Sequence, residues 1–180
     1  MKVEKMVFEG LYLLQTSVFS DSRGLFQKIF NFDFFEENKI NSDFKEFYYT
    51  ISHKNTIRGM HFQTPPHDHH KLVFVSNGSI KDVVLDLRKG SQTFGKSAEF
   101  HLDNKSGHYV FLPKGIAHGF KALEDNTIVN YAQTSCHSKE HDSGVLYNSF
   151  GHDWAISDPI ISSRDLSFEA FDSFAKGNIF

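Results

Sequence analysis

Histidines are the residues of this sequence best suited to chemistry near neutral pH, and the 180-residue chain contains 11 of them. Neutral imidazole is a base with a reference pKa of about 6.5, and it is also a common metal ligand. His61 lies in residues 58–63, a segment whose pattern predicts a β-strand. Because side chains alternate between the two faces of a strand, Arg58 and His61 need a twist or a bulge to reach one ligand. A single strand histidine is by itself more often structural than catalytic.

Three further histidines lie within residues 67–70. His67 and His69, with the distant His118, resemble the ligand arrangement of metal-binding cupin barrels, in which imidazoles from two hairpins meet. Two prolines directly before His67 favour a loop, and no glutamate or glutamine follows at the spacing that such sites use. We therefore expect solvated loop histidines and no bound metal, with a metal-dependent cupin enzyme as the alternative.

Two other candidates have ordinary structural explanations when each is taken alone. Tyr131 lies in an apolar run, where a buried aromatic is the usual interpretation. Asp165 follows Arg164, where helix capping or compensation of the helix dipole is usual. Only their combination with His61 and Lys71 indicates a specific chemistry.

These residues need a scaffold, and the sequence predicts a β-rich one. Two apolar runs in residues 72–87 are joined by Asn77-Gly78, which is typical of a type I′ turn and predicts a β-hairpin. Further strands are predicted at residues 98–102, 109–112, 119–123 and 127–132, separated by turn residues. Many short strands at such spacing indicate a sandwich or a jelly-roll barrel. Phenylalanine, with 20 copies, suits such a half-buried pleated surface.

Helical pattern is confined to two short segments. One is predicted at residues 33–39 with Asp33 as its N-cap, and the other at residues 163–175. No repeat or linker divides the chain, so residues 1–180 are predicted to form one all-β domain with short peripheral helices.

Composition excludes several classes of protein. The net charge of −3 gives no basic surface for nucleic acid. The single cysteine, Cys136, excludes an intrachain disulfide and suggests a reducing compartment. The charged first residues do not resemble a signal peptide, and no apolar run is long enough for a membrane span. We expect a cytoplasmic protein without a membrane partner.

Short motifs in a fixed order resemble the dTDP-4-dehydrorhamnose 3,5-epimerase family. The similarity extends over about residues 8 to 168. The motifs that carry it are Asp21-x-Arg23-Gly24-x-Phe26, Ile57-Arg58-Gly59-Met60-His61-Phe62-Gln63, Pro65-Pro66-His67, Lys71-Leu72-Val73, residues 82–95, Leu112-Pro113-x-Gly115-x-Ala117-His118-Gly119-Phe120 and Gly151-x-Asp153-Trp154.

The resemblance implies a cupin jelly-roll barrel that forms a homodimer, needs no metal or other cofactor, and acts on a nucleotide-linked 4-keto-6-deoxy sugar. It implies that His61 is the general base, that Asp165 holds it, and that Tyr131 is the opposing acid. It also implies a set of substrate-binding positions, at the sugar or the nucleotide end: Arg23, Phe26, Lys28, Glu46, Tyr48, Arg58, Lys71, His118, His137, Asp142 and Arg164.

Several of these positions depart from the family pattern. Lys28 replaces a glutamate, and Glu46-Phe47-Tyr48 occupies the place of the family's Gln-x-Asn. These positions help to hold the nucleotide in the family, so a cytidine nucleotide is an alternative to a thymidine nucleotide. His137 replaces a tyrosine near the sugar, which leaves an epimerase of only C3 or only C5 as a second alternative. Asp142 replaces a glutamate, and Arg164 replaces a lysine. A non-enzymatic sugar-binding cupin is the remaining alternative.

Overall fold

Two antiparallel β-sheets dominate the computed structural model, which describes residues 1–177 and residue 180. The six-stranded sheet has the order β1-β2-β10-β7-β12-β5, and the five-stranded sheet has the order β13-β6-β11-β8-β9. Strands β3 and β4 form a separate hairpin. The strands are β1 Lys2–Phe8, β2 Leu11–Gln15, β3 Val18–Asp21, β4 Gly24–Gln27, β5 Glu46–Ser52, β6 Ile57–Gln63, β7 Lys71–Asn77, β8 Ser79–Asp86, β9 Ser97–Asp103, β10 His108–Leu112, β11 Ile116–Ala122, β12 Thr127–Gln133 and β13 Asp142–Gly144.

The described residues form three short helices at the periphery: α1 Phe32–Glu37, α2 Ser163–Leu166 and α3 Phe171–Lys176. The prediction of an all-β protein with short peripheral helices is confirmed. In the described part of the chain, no helix is long and apolar enough to cross a membrane.

The predicted hairpin at residues 72–87 is wrong, although both of its strands exist. β7 pairs with β10 and β12 in one sheet, whereas β8 pairs with β9 and β11 in the other. Gly78 has a φ of 75°, and a Cβ there would lie 2.4 Å from the Thr127 hydroxyl oxygen, so the chain passes from sheet to sheet at a crowded corner. A type I′ turn needs positive φ at both central residues, and Asn77 lies in the extended strand. Both strands are largely buried, so each takes partners on both sides instead of the neighbour nearest in sequence.

The other strand predictions are confirmed, with one shifted boundary. β11 begins at Ile116, earlier than the predicted 119, and so includes His118. The helix predictions need correction. Asn31, rather than Asp33, caps α1, because its side chain accepts a hydrogen bond from the Phe34 N–H at 2.9 Å.

The predicted helix at residues 163–175 is two helices, α2 and α3, with a break between them. Phe168 lies in the break and turns inward, where its ring occupies the space beside Gly144: a Cβ at Gly144 would come within 2.3 Å of it. The apolar residues of this segment therefore recur because the C-terminal part of the chain is buried against the barrel, and not because they form one face of a single helix.

In the part of the chain that the structure describes, the core consists of three apolar clusters that leave part of the space between the sheets open. One cluster fills the centre with residues of both sheets, including Val73 and Val84. A second packs the C-terminal segment, with Trp154 and Phe174, on the outside of the five-stranded sheet. A third covers the six-stranded sheet with Phe35 of α1. Polar residues occupy the remaining interior, and this is where the candidate site lies.

Candidate active site

A cavity of about 310 Å³ lies between the sheets and is lined by residues of both. β5, β7 and β12 contribute from the six-stranded sheet, and β6, β11 and β13 from the five-stranded sheet. Ten of the predicted site residues line it: Glu46, Tyr48, Arg58, His61, Lys71, His118, Tyr131, His137, Asp142 and Arg164. Positions separated by more than a hundred residues of sequence therefore share one cavity.

A bulge in β6 brings Arg58 and His61 to the same cavity. Between the pairs Arg58–Phe120 and His61–His118, β6 advances by three residues while β11 advances by two. Gly59 lies in the bulge with a φ of 124°, and a Cβ there would lie 2.5 Å from the Gly119 Cα, so glycine is required. An extra residue on one strand resets the alternation of faces, which confirms that the two side chains need a bulge to converge.

His61 and Asp165 form a hydrogen-bonded pair at the cavity wall. His61 Nε2 lies 2.9 Å from Asp165 Oδ1, and Asp165 Oδ2 accepts a hydrogen bond from the Gly59 N–H at 3.0 Å. Burial opposes ionisation of Asp165, but the hydrogen bond and charge of His61 and the Gly59 N–H lower its pKa below the ordinary value. An ionised carboxylate only accepts hydrogen bonds, so Nε2 donates and Nδ1 is the basic nitrogen of the neutral ring. The His61 side chain is 30% exposed, which leaves it accessible to a ligand.

His118 also lines the cavity and forms a second, more deeply buried histidine–aspartate pair with Asp82, which lies behind the lining. His118 Nε2 is 2.6 Å from Asp82 Oδ2, and the side chains are only 4% and 0% exposed. Burial lowers the pKa of His118 although the Asp82 carboxylate opposes this shift. The other carboxylate oxygen of Asp82, Oδ1, is buried without a hydrogen-bond partner among the described residues. Asp82 was not among the predicted site residues.

Tyr131 reaches the cavity from β12, on the sheet opposite His61. Its ring stacks on that of Tyr48, with centroids 4.6 Å apart and an interplanar angle of 16°. Its hydroxyl lies 3.5 Å from the Thr50 hydroxyl. Burial raises the pKa of Tyr131 well above the ordinary value of a tyrosine, so it stays a neutral phenol at physiological pH.

Two cationic side chains lie beside these groups. Lys71 is 7% exposed, and its Nζ lies 6.0 Å from the centroid of the Tyr131 ring. Burial lowers the pKa of Lys71 to about 8, while the charges of Asp82 and Asp142 oppose the shift. Arg58 is anchored by a hydrogen bond from Nε to the Ser52 hydroxyl at 3.1 Å. The cavity therefore holds a carboxylate-supported imidazole on one side, a phenol on the other, and fixed positive charge between the sheets.

Charged pairs surround the remaining part of the cavity. Arg164 donates from Nη2 to Asp142 Oδ2 at 2.7 Å and lies over the Phe168 ring at 5.1 Å. The His137 N–H donates to Glu46 Oε2 at 2.6 Å, so Glu46 holds the loop that carries His137.

Three predicted binding residues do not line the cavity of their own chain. Arg23, Phe26 and Lys28 belong to the β3–β4 hairpin or follow it, and all three are exposed. Arg23 forms an ion pair with Asp21 at 2.6 Å within the hairpin. Their roles in binding stay predictions.

The three histidines of the metal alternative are not gathered into one site. The His67 ring packs on that of His141 with centroids 4.5 Å apart, and His118 is bonded to Asp82. His69 lines the cavity, with Nδ1 3.3 Å from the Gln63 amide nitrogen. In residues 1–177 and 180, no group of three or more His, Cys, Asp or Glu side chains is arranged to hold a metal ion.

Six further residues line the cavity that the sequence reasoning did not assign to it: Thr50, Phe62, Gln63, His69, Phe120 and Gln133. Two of them had a usable signal. Thr50 lies two residues after Tyr48, and Gln133 two residues after Tyr131, so strand alternation places both on the cavity face.

Known proteins resemble this chain over almost its whole length. The family model described as dTDP-4-dehydrorhamnose 3,5-epimerase matches residues 5–173. A protein of that name from Methanothermobacter thermautotrophicus is 36% identical over 170 residues, which cover 92% of this chain and 91% of that protein.

Solved structures agree with this similarity. The crystal structure of the dTDP-4-dehydrorhamnose 3,5-epimerase from Bacillus anthracis, with TDP and PPi bound, is 36% identical, with a TM-score of 0.91, covering 94% of this chain and 99% of that one. A Legionella pneumophila epimerase in complex with dTDP-4-keto-L-rhamnose is 27% identical, with a TM-score of 0.89, covering 95% and 93%. These likenesses confirm the predicted cupin jelly roll.

Proposed function

The chain belongs to the dTDP-4-dehydrorhamnose 3,5-epimerase family of isomerases, and from this we propose that it epimerises a dTDP-linked 4-keto-6-deoxy sugar. One observation supports this most directly. His61 and Tyr131 lie on opposite sheets and line one cavity, and Asp165 of α2 bonds to His61 from outside the lining. Inversion of a carbon requires a proton to leave one face and another to arrive at the opposite face, and this arrangement offers a base and an acid for the two faces.

The first step is removal of a proton from the carbon next to the C4 ketone. The C–H bond breaks, the proton moves to His61 Nδ1, and the electron pair forms an enolate whose charge lies mostly on O4. Asp165 stabilises the imidazolium that results. Lys71 and Arg58 supply positive charge to O4, and preorganised charge of this kind is worth several kcal/mol in an enclosed site.

The second step is protonation of the enolate from the other face. The Tyr131 hydroxyl donates its proton to the carbon, and the enolate collapses to the ketone with inverted configuration. The phenolate then recovers a proton from solvent, and His61 releases its own. Because the pKa of Tyr131 is raised by burial, its proton is present at neutral pH and the phenolate takes up a new one readily.

The nucleotide proposed is thymidine diphosphate. The support comes from relatives: the Bacillus anthracis enzyme was crystallised with TDP, and the Legionella pneumophila enzyme with dTDP-4-keto-L-rhamnose. Because Lys28, Glu46 and Tyr48 depart from the family pattern, a cytidine nucleotide is the alternative that the experiment below compares with thymidine diphosphate. His137, which lines the cavity, keeps epimerisation at a single carbon as the competing regiochemistry.

We also propose that the protein is a cytoplasmic homodimer. β5 is an edge strand, and its outward residues Phe47, Tyr49 and Ile51 are 71%, 64% and 54% exposed. An apolar edge strand of this kind is normally covered in a soluble protein. The β3–β4 hairpin, with Arg23 and Phe26, lies away from the cavity of its own chain. In a dimer, this hairpin can contribute to the cavity of the second copy.

Light scattering during size-exclusion chromatography tests the dimer. We expect twice the chain mass of 20.6 kDa, and a single chain mass for Ile51→Lys. Met6→Lys is the matched control, since Met6 is 57% exposed on β1, at the opposite edge of the same sheet. A wild-type protein of single chain mass would contradict the proposal.

Proton–deuterium exchange tests the reaction. The protein is incubated in D2O with dTDP-4-keto-6-deoxyglucose or its CDP analogue while H3 and H5 are followed by NMR. We expect exchange and inversion at both carbons with the dTDP sugar. Exchange at one carbon only would support the single-carbon epimerase, preference for the CDP sugar would support the cytidine alternative, and absence of exchange with both sugars would overturn the enolate chemistry.

A further inference from the structure

Tyr48 and Tyr131 are directly opposite each other in the register of β5 and β12. Their rings are almost parallel at a centroid distance of 4.6 Å. Aromatic pairs in contact restrict each other's orientation and add stability beyond the burial of their surfaces. The plane of the Tyr131 ring is therefore set by a neighbour from another strand.

Among the described residues, the Tyr131 hydroxyl has a single, weak anchor. Its distance of 3.5 Å from the Thr50 hydroxyl is at the outer limit for a hydrogen bond, far beyond the usual 2.7–2.8 Å between hydroxyls. Tyr48 is anchored better, because the Gln133 amide donates to its hydroxyl at 2.5 Å. Gln133 is 5% exposed and belongs to the same strand as Tyr131. The stack is thus braced at the Tyr48 end, and the Tyr131 hydroxyl is left free to face a ligand.

We infer that Tyr48, braced by Gln133, is a positioning residue that holds the Tyr131 ring so that its hydroxyl protonates the substrate from the side opposite His61. The inference rests on the proposed function, in which Tyr131 is the acid. Without the stack, the Tyr131 ring turns about its side-chain bonds and presents its proton to the enolate less often.

Removal of the Tyr48 ring leaves His61, the proposed base, in place. His61 is on the other sheet and is held by Asp165, so it still removes a proton and forms the enolate. An enolate that is not protonated by Tyr131 recovers a proton from His61 on the original face. Since His61 is partly exposed, its proton exchanges with solvent, and in D2O the substrate gains deuterium without inversion. Loss of Tyr48 should therefore separate exchange from inversion.

The experiment measures both quantities at the same carbon in D2O with dTDP-4-keto-6-deoxyglucose. Tyr48→Leu and Tyr48→Val remove the ring, and the β-branched valine suits a strand if the leucine variant does not fold. Tyr48→Phe keeps the ring and removes only the bond to Gln133. Tyr12→Leu is the matched control, because Tyr12 is a partly buried strand tyrosine that packs on Phe111 at 6.4 Å, away from the cavity.

We expect the ratio of inversion to exchange to fall on the order of tenfold in the ringless variants, which corresponds to the loss of a favourable aromatic pair. In Tyr48→Phe, which keeps the stack but loses the bond to Gln133, the ratio should fall by less than in the ringless variants, and in Tyr12→Leu it should stay within about twofold of wild type. A ringless variant with an unchanged ratio, whether or not KM rises, would overturn the inference and make Tyr48 a substrate ligand only. Wild-type protein that shows no exchange would instead overturn the proposed function, so the two failures are distinguishable.

Discussion

Two histidines that line the cavity each bond to an aspartate behind them, and the two pairs differ in their depth and in the origin of the carboxylate. In the outer pair, the partner of His61 is Asp165 of α2, and the histidine side chain is 30% exposed. In the inner pair, the partner of His118 is Asp82 of the neighbouring strand β8, and the histidine side chain is 4% exposed. The two pairs therefore place the same chemical groups in very different contact with solvent.

Because of this difference in depth, the two histidines have different roles although each is paired with an aspartate. Burial lowers the pKa of His118, so its ring stays neutral and acts as a fixed hydrogen-bonding group at physiological pH. His61 can accept a proton from a ligand and pass it to solvent because its ring remains accessible. A histidine–aspartate contact alone thus does not identify a base; access to both ligand and solvent does.

The largest effect is expected from removal of the outer histidine. His61→Asn should lower turnover by about 10³-fold, because the variant has no group to remove the substrate proton. The measurement is the rate of deuterium incorporation at C3 and C5 in D2O. His53→Asn is the control, since His53 is exposed after β5. Comparable rates for His61→Asn and wild type would assign the base to another residue, with His118 as the first to examine.

Substitution of each aspartate by alanine should affect a different property: activity at Asp165 and stability at Asp82. Asp165→Ala should lower kcat by about 10²-fold, because His61 loses the group that fixes its tautomer. Asp82→Ala should lower the free energy of unfolding by about 3 kcal/mol, because the buried Nε2–H of His118 loses its partner and a void remains.

Urea unfolding and kcat measured on both variants check this contrast. We expect Asp165→Ala to lose about 1–2 kcal/mol of stability, because the buried Gly59 N–H loses its acceptor while water can still reach His61. The comparison would fail if Asp82→Ala lost more activity than Asp165→Ala while remaining as stable as wild type.

A smaller effect concerns the influence of the inner pair on Lys71. The charged groups that affect the pKa of Lys71 most are Asp82 and Asp142, and both raise it against the lowering by burial. Activity should decrease as pH rises through about 8, where Lys71 loses its proton. Asp82→Asn should move this alkaline decrease to lower pH, because a neutral amide no longer favours the charged amine.

The pH dependence of kcat/KM for wild type, Asp82→Asn and Lys71→Arg checks this. Arginine keeps its proton at all accessible pH values, so the alkaline decrease should disappear in Lys71→Arg even if the rate is reduced. An unchanged decrease in Lys71→Arg would assign it to a different group.

Much of the fold and the site was predictable from local signals. Turn residues and apolar runs located β7 to β12, since a strand is recognisable from its own few residues, but they gave no prediction for β1 to β5 or for β13. The motif around His61, the lysine at 71 and the tyrosine at 131 were recognisable as a set because residue types and order are properties of the chain. The sequence did not predict that His69 lines the cavity, because its neighbours indicated a solvated loop.

Partner choice was not predictable in the same way. Asn77-Gly78 is a strong hairpin signal, yet β7 and β8 belong to different sheets. The local energy of a turn is small compared with the burial of two apolar strands, and that burial depends on every other strand. The pairing of Tyr48 with Tyr131 and the bracing by Gln133 follow from the register of β5 and β12, which no short window of sequence contains.

The sequence by itself determined which groups are available: an imidazole, a phenol, carboxylates and cations at fixed positions along a β-rich chain. The tertiary structure alone decided which of them meet. Asp165 contacts His61 although 104 residues separate them, and a bulge at Gly59 turns Arg58 and His61 toward the same ligand space. It also made one histidine accessible and the other buried, because solvent access depends on how both sheets and the C-terminal segment pack together.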